Sequence, residues 1–157
     1  MTFHLEQTPI TGKEALGVHD EPTQALIHFY AAFNGGNHDL MSENWLHSEA
    51  AAMSNPLGGI MRGWAEISSL YSRIFDGPAS VYVEYYDYSI FEGKGFFQAI
   101  GRERGTFTLG ETSVDLKIRT SRIYVEADGN YKQLHHHGSI EKPAMLKRYQ
   151  DAVRSGS

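Results

Sequence analysis

Apolar residues recur at helical spacing in the first half of the chain and at strand spacing in the second. Asp20-Glu21-Pro22 is a helix-start signal, and Leu26, Phe29, Tyr30 and Phe33 then share a face until Asn34-Gly35-Gly36 ends the run. Asn37 caps a short second helix through about Trp45, Ser48–Ser54 reads as a brief strand, and Asn55-Pro56-Leu57-Gly58-Gly59 as a turn. From Trp64, the residues Ile67, Leu70, Tyr71, Ile74 and Phe75 mark a third helix, stopped by Asp76-Gly77-Pro78. Between Val81 and Glu141 the chain is rich in Val, Tyr, Phe, Ile and Thr and is broken at Glu92-Gly93-Lys94-Gly95, Leu109-Gly110 and Asp128-Gly129-Asn130, which predicts four antiparallel strands joined by hairpins. Met145, Leu146, Tyr149 and Val153 share a helical face within Pro143–Val153, and Ser155-Gly156-Ser157 reads as a loose tail. Residues 1–19 show no periodicity and carry Pro9, Gly12 and Gly17; they read as an N-terminal arm that packs late or not at all, before a single domain over 20–153. Helices first and a meander afterwards imply an α+β fold, with a long N-terminal helix and two shorter ones packed on one face of a strongly curved antiparallel sheet.

Composition narrows the class. A chain of 157 residues that is 41% hydrophobic is long enough to bury a substantial core in one domain. Its formal charge of -5, with no basic run, argues against a nucleic-acid or anionic-membrane binder. There is no cysteine, which removes disulfides, thiolate metal sites and a cysteine nucleophile. The apolar runs are far shorter than a membrane span and Met1–Glu6 lacks a basic n-region, so the expected location is cytoplasmic. The tyrosines of Val81–Tyr88 fall on both faces of their strand, as expected if the inner face covers a pocket and the outer face meets a second copy in a homodimer.

Candidate chemistry concentrates in the last hairpin, from Arg119 to Ser139. Strand residues two apart project to the same side about 6.6 Å apart, which puts Tyr131, Gln133, His135, His137 and Ser139 on one face and Leu134 and His136 on the other. A bulge before Tyr131 would exchange the two faces. If the first face lines a cavity, His137 is the natural acid or base and Arg119 can fix a carboxylate or oxyanion. The alternative is a satisfied core histidine, with Arg119 paired to an acidic neighbour such as Glu103. His135 and His137 have chelating spacing, and His47, Glu84 or Asp87 could complete a set; no third ligand is fixed by spacing, so no metal is expected.

Three motifs carry a resemblance to a known family. They are Phe33-Asn34-Gly35-Gly36-Asn37; Met53-Ser54-Asn55-Pro56-Leu57-Gly58 leading through Arg62-Gly63 into the third helix; and Arg119-Thr120 followed, after Asp128-Gly129, by His135-His136-His137-Gly138-Ser139. Over roughly residues 20 to 141 the chain resembles the nuclear transport factor 2-like superfamily and, within it, the SnoaL-like proteins. The closing motif also resembles the association domain of calmodulin-dependent protein kinase.

The resemblance implies a cone-shaped fold whose curved sheet and long helix enclose an apolar pocket, usually in a homodimer. It implies a small apolar or weakly acidic ligand and no cofactor. Members include isomerases, dehydratases, cyclases, epoxide hydrolases and domains that only associate. In the related ketosteroid isomerases the base is an Asp just before the Pro, and here that place is Asn55. The protonated acid of those enzymes falls near Ser121, and their helix tyrosine is matched loosely by Tyr30, with Phe29 one residue away. Two of three roles are missing, so that steroid mechanism is not expected. The catalytic candidates are therefore His137, Arg119 and Tyr30. Trp64, Met53, Asn55, His135, Phe29, Tyr71 and Trp45 are candidates for the pocket wall, with ordinary core packing the alternative for each. Two functions follow: a small-molecule-binding protein, with acid/base chemistry as a cofactor-independent isomerase, cyclase or dehydratase as its catalytic form, or a non-catalytic association or ligand-sensing domain.

Overall fold

A computed structural model describes residues 2–6 and 8–156. Met1, Gln7 and Ser157, which belong to the expected arm and tail, lie outside the described residues. The chain runs β1 (Thr2–Glu6), α1 (Glu21–Asn34), α2 (His38–Asn44), β2 (Ala52–Ser54), β3 (Met61–Arg62), α3 (Trp64–Asp76), β4 (Ser80–Gly93), β5 (Phe96–Leu109), β6 (Thr112–Ala127), β7 (Asn130–Ile140) and α4 (Pro143–Ser155). One sheet holds the strands in the order β1-β4-β5-β6-β7-β2-β3. All neighbours are antiparallel except β2 and β7, which run parallel and set Ala52–Ser54 beside His135–His137. The sheet curves around α1 as an open cone.

The helix starts lie where side-chain chemistry places them. Asp20 Oδ1 accepts from the Thr23 N–H at 2.9 Å ahead of α1, and Asn37 Oδ1 accepts from Leu40 N–H at 3.1 Å ahead of α2. Gly63 enters α3 at φ 82°, a conformation that a side chain would strain. Leu26, Phe29 and Tyr30 of α1 are buried against Val83 and Tyr85 of β4, Phe97 of β5 and Leu116 and Tyr124 of β6. Gly101 and Gly105 let β5 bend: a Cβ at Gly101 would lie 2.5 Å from Tyr88 Cβ, and one at Gly105 would strike the Tyr82 carbonyl. A bulge between Tyr86 and Ser89, with Asp87 at φ 48°, turns both Tyr85 and Tyr88 inward, where their rings stack at 4.9 Å.

Three elements depart from the sequence expectation. The N-terminal segment packs: β1 adds an edge strand to β4, and Ile10, 2% exposed, exchanges both backbone hydrogen bonds with Tyr85. Asn34 secures it by donating to the carbonyls of Thr11 and Val83, at 2.9 and 2.8 Å. Such a single-residue bridge has no periodicity to read. The Ser48–Ser54 strand shortens to Ala52–Ser54, and Met61–Arg62, expected only as the lead into the third helix, forms the short strand β3. The helical face read within Pro143–Val153 is that of α4.

Candidate functional site

The inner face of β6 is set by simple alternation, with Val114, Leu116, Ile118, Thr120, Arg122 and Tyr124 all buried. Its partner β7 does not alternate throughout. Tyr124 pairs with Gln133 and Ile123 with His135, leaving Leu134 as an extra residue in a bulge. Gln133 and His136, three apart, therefore both face inward, and Arg122 and His136 are directly opposed across the strand pair. Directly opposed residues have Cβ atoms about 5 Å apart.

This corrects the expected parity. His137 is exposed on the outer face, and His135 is half-buried there, with Nδ1–H donating to the Ala52 carbonyl at 2.9 Å. Arg119 is also outside, 3.8 Å from Glu141. Glu103, read from sequence as a partner for Arg119, is buried and pairs with Arg122 at 3.1 Å. Of the three catalytic candidates only Tyr30 reaches the inner cluster.

That cluster is a polar network sunk in apolar surroundings. Tyr30 O–H donates to Glu103 Oε2 at 2.7 Å, and Arg122 Nη2 donates to the same oxygen. Arg122 Nη1 donates to Gln133 Oε1 at 2.8 Å, and its guanidinium stacks 3.8 Å over the Phe29 ring. Gln133 Nε2 and Tyr124 O–H both donate to Asn44 Oδ1, at 3.0 and 2.9 Å. Burial pushes the Tyr30 hydroxyl well up, so it remains a protonated donor. Burial opposes the charge of Arg122, but the Glu103 carboxylate beside it holds the guanidinium charged. Burial, and then the charge of Arg122, push His136 well below the usual imidazole range, so it is neutral at pH 7.

Beside this network several buried polar atoms are left over among the described residues: Trp45 Nε1, Tyr85 Oη, Thr120 Oγ1, and atoms of two residues that face a cavity. Neither ring nitrogen of His136 meets a hydrogen-bond partner among the described residues, and neither does Arg122 Nε. Each such buried group costs on the order of 1–3 kcal/mol when unpaired. Both residues line a cavity of about 340 Å3 whose walls are otherwise largely apolar, including Phe29, Met53, Tyr71, Val83, Phe107 and Leu116. Asn55 and Pro56 edge it from the turn after β2, Gly77–Ala79 from the turn after α3, and Tyr149 and Val153 from α4.

Phe29, Met53, Asn55 and Tyr71 thus lie on the cavity, while Trp45 and Trp64 do not. Trp45 is buried between α2 and α3, 6.4 Å from the Trp64 ring, and Trp64, at the first turn of α3, stacks on His47 at 4.8 Å. Arg122 could have been found from the inward alternation of β6, and Glu103 from Phe97, Ala99, Gly101, Gly105 and Phe107 on either side at even spacing. His136 could not, because its inward direction depends on the bulge.

Among the described residues no group of three His, Asp or Glu side chains could hold a metal ion. Glu84 pairs with Arg104 at 2.6 Å, Asp87 with Arg102 at 3.0 Å, and His47 hydrogen-bonds to the Ser42 carbonyl at 2.8 Å. No helix among the described residues is long and apolar enough to cross a membrane.

Comparison with solved structures places the same architecture in several bacterial proteins. A nuclear transport factor 2-like superfamily protein from Salmonella enterica serovar Typhimurium superposes with a TM-score of 0.70 at 15% identity, covering 78% of this chain and 89% of that one. A protein proposed to be a dehydratase of the same family, from Streptomyces avermitilis, gives 0.69 at 16% identity, covering 76% and 93%. A proposed calcium/calmodulin-dependent protein kinase type II association domain from Thiobacillus denitrificans gives 0.64 at 22% identity, covering 80% and 98%. At these identities the likeness shows the fold alone. No curated protein sequence matches. The SnoaL-like domain model matches residues 23–143, from the start of α1 through the whole of β7, and the chain belongs to that family.

Proposed function

We propose that this protein binds a small, largely apolar molecule in the cone and moves a proton on it without a cofactor, as an isomerase, cyclase or dehydratase would. The observation that carries the reading is the pair of unpartnered groups, His136 and Arg122 Nε, on the wall of an apolar cavity of ligand size. A neutral imidazole can take a proton from a carbon next to a carbonyl. The C–H electron pair then passes to the carbonyl oxygen, toward which Arg122 Nε–H can donate, and the imidazolium returns the proton at a second position. The charge of Arg122 disfavours the imidazolium, and the Glu103 carboxylate, 3.1 Å from Arg122, offsets it. We also propose a homodimer through the outer face of the sheet, where Tyr82 and Ile100 stand 42% and 50% exposed.

The test uses 2-tetralone, a small apolar ketone, in D2O, with NMR following loss of its α-protons. Wild-type protein should accelerate exchange above buffer, and His136→Ala should remove at least about a hundredfold of that acceleration while the circular dichroism stays unchanged. Binding without acceleration would discard the proton transfer and leave the second reading, a ligand-sensing domain.

A further inference from the structure

The family match ends at residue 143, where α4 begins, yet α4 forms part of the cavity wall. Its polar residues Lys147 and Asp151 pair on the outer side at 2.8 Å, and Ala152 is buried. Gln150 Nε2 donates to the Leu57 carbonyl at 3.2 Å, tying the helix to the turn that forms another edge of the cavity. Tyr149 is half-buried on the cavity side, with its ring edge-on to Phe107 at 5.4 Å. Its hydroxyl makes no hydrogen bond among the described residues.

We propose that α4 completes the binding site and that the Tyr149 hydroxyl is a ligand-binding donor, selecting neutral molecules that carry an acceptor oxygen, above all a carbonyl. The inference rests on the cone as a ligand site and narrows what it takes. Burial, aided by the Glu103 carboxylate, pushes the Tyr149 hydroxyl up to about 12, so it stays protonated and can donate. Arg122 Nε–H is a second unspent donor on the same cavity. The positive charge of Arg122 is already matched by Glu103, so a carboxylate ligand would bring an unmatched negative charge into an apolar chamber. A neutral ketone brings an acceptor and no charge.

The experiment compares two fluorescent probes on the full chain: 6-propionyl-2-(dimethylamino)naphthalene, and the same naphthalene without the propionyl group. The wild type should bind both, the carbonyl compound more tightly. Tyr149→Phe keeps the ring against Phe107 and removes only the hydroxyl; it should weaken the carbonyl probe about three- to tenfold and leave the other unchanged. An equal loss for both probes, or no loss for either, overturns the role of Tyr149 while leaving the cone as a binding site. If the wild type admits neither probe, the cone reading and this inference fall together. Thermal melting of the variant alongside the wild type keeps a folding defect from passing as a binding effect.

Discussion

Arg122 and Glu103 hold each other in a place where neither charge could stand alone, 1% and 7% exposed at the side chain. Removing one partner of such a pair leaves the other buried and unmatched, at a cost of about 3–5 kcal/mol. Arg122→Met should therefore lower the melting temperature strongly, and adding Glu103→Gln should recover part of the loss. A double variant no more stable than the sum of two singles would show that the pair is not energetically coupled. This pairing was half legible. Even spacing among buried residues marks both positions as inward, but nothing in one sequence says which arginine on β6 meets which carboxylate on β5. Arg119 and Arg122 differ by three positions, hence by one face, and the exposed one looked as available for chemistry as the buried one.

Helices α1 and α2 were legible from the capping residues Asp20 and Asn37, and α1 and α3 from an apolar stripe, information local to a few turns. The strands were legible as strands. Their irregularities were not: the bulges at Asp87 and Leu134 are properties of strand pairs, and a pair is not visible in either member. β5 offers a direct check on how its curvature is held. Gly105→Ala would press a methyl group into the Tyr82 carbonyl of β4, a backbone atom with nowhere to go, and should destabilise the protein by at least about 2 kcal/mol in urea unfolding. The same substitution at Gly129, in the β6–β7 turn, meets no atom within 4 Å and tests backbone strain alone, since its φ is 81°. Equal effects at the two sites would mean that the close approach of β4 to β5 carries no weight.

For the molecule as a whole, the cone has an inner and an outer side of different character. The inner side is closed by α1, α3 and α4 around the cavity, while the outer side leaves Tyr82 and Ile100 in solvent among ion pairs such as Arg104–Glu84. Pairing of two outer faces would cover these residues, and light scattering at micromolar concentration should then report about twice the chain mass of 17.6 kDa. Tyr82→Lys with Ile100→Lys should shift that mass to a single chain and leave the probe affinity of the cone unchanged. A single-chain mass for the wild type would remove the dimer from the account.

Leu134 acts on β7 as an inserted letter acts on a reading frame. Counted forward from the Asp128-Gly129 turn, every second residue leads to His135 and His137. Counted backward from Gly138, which faces Thr120, the same rule leads to His136. Both counts are correct locally, and they disagree because one residue between them is out of phase. A histidine triplet shared with another chain therefore carries no information about which imidazole is inside until the frame is known, and the frame is anchored by the partner strand, not by the turn.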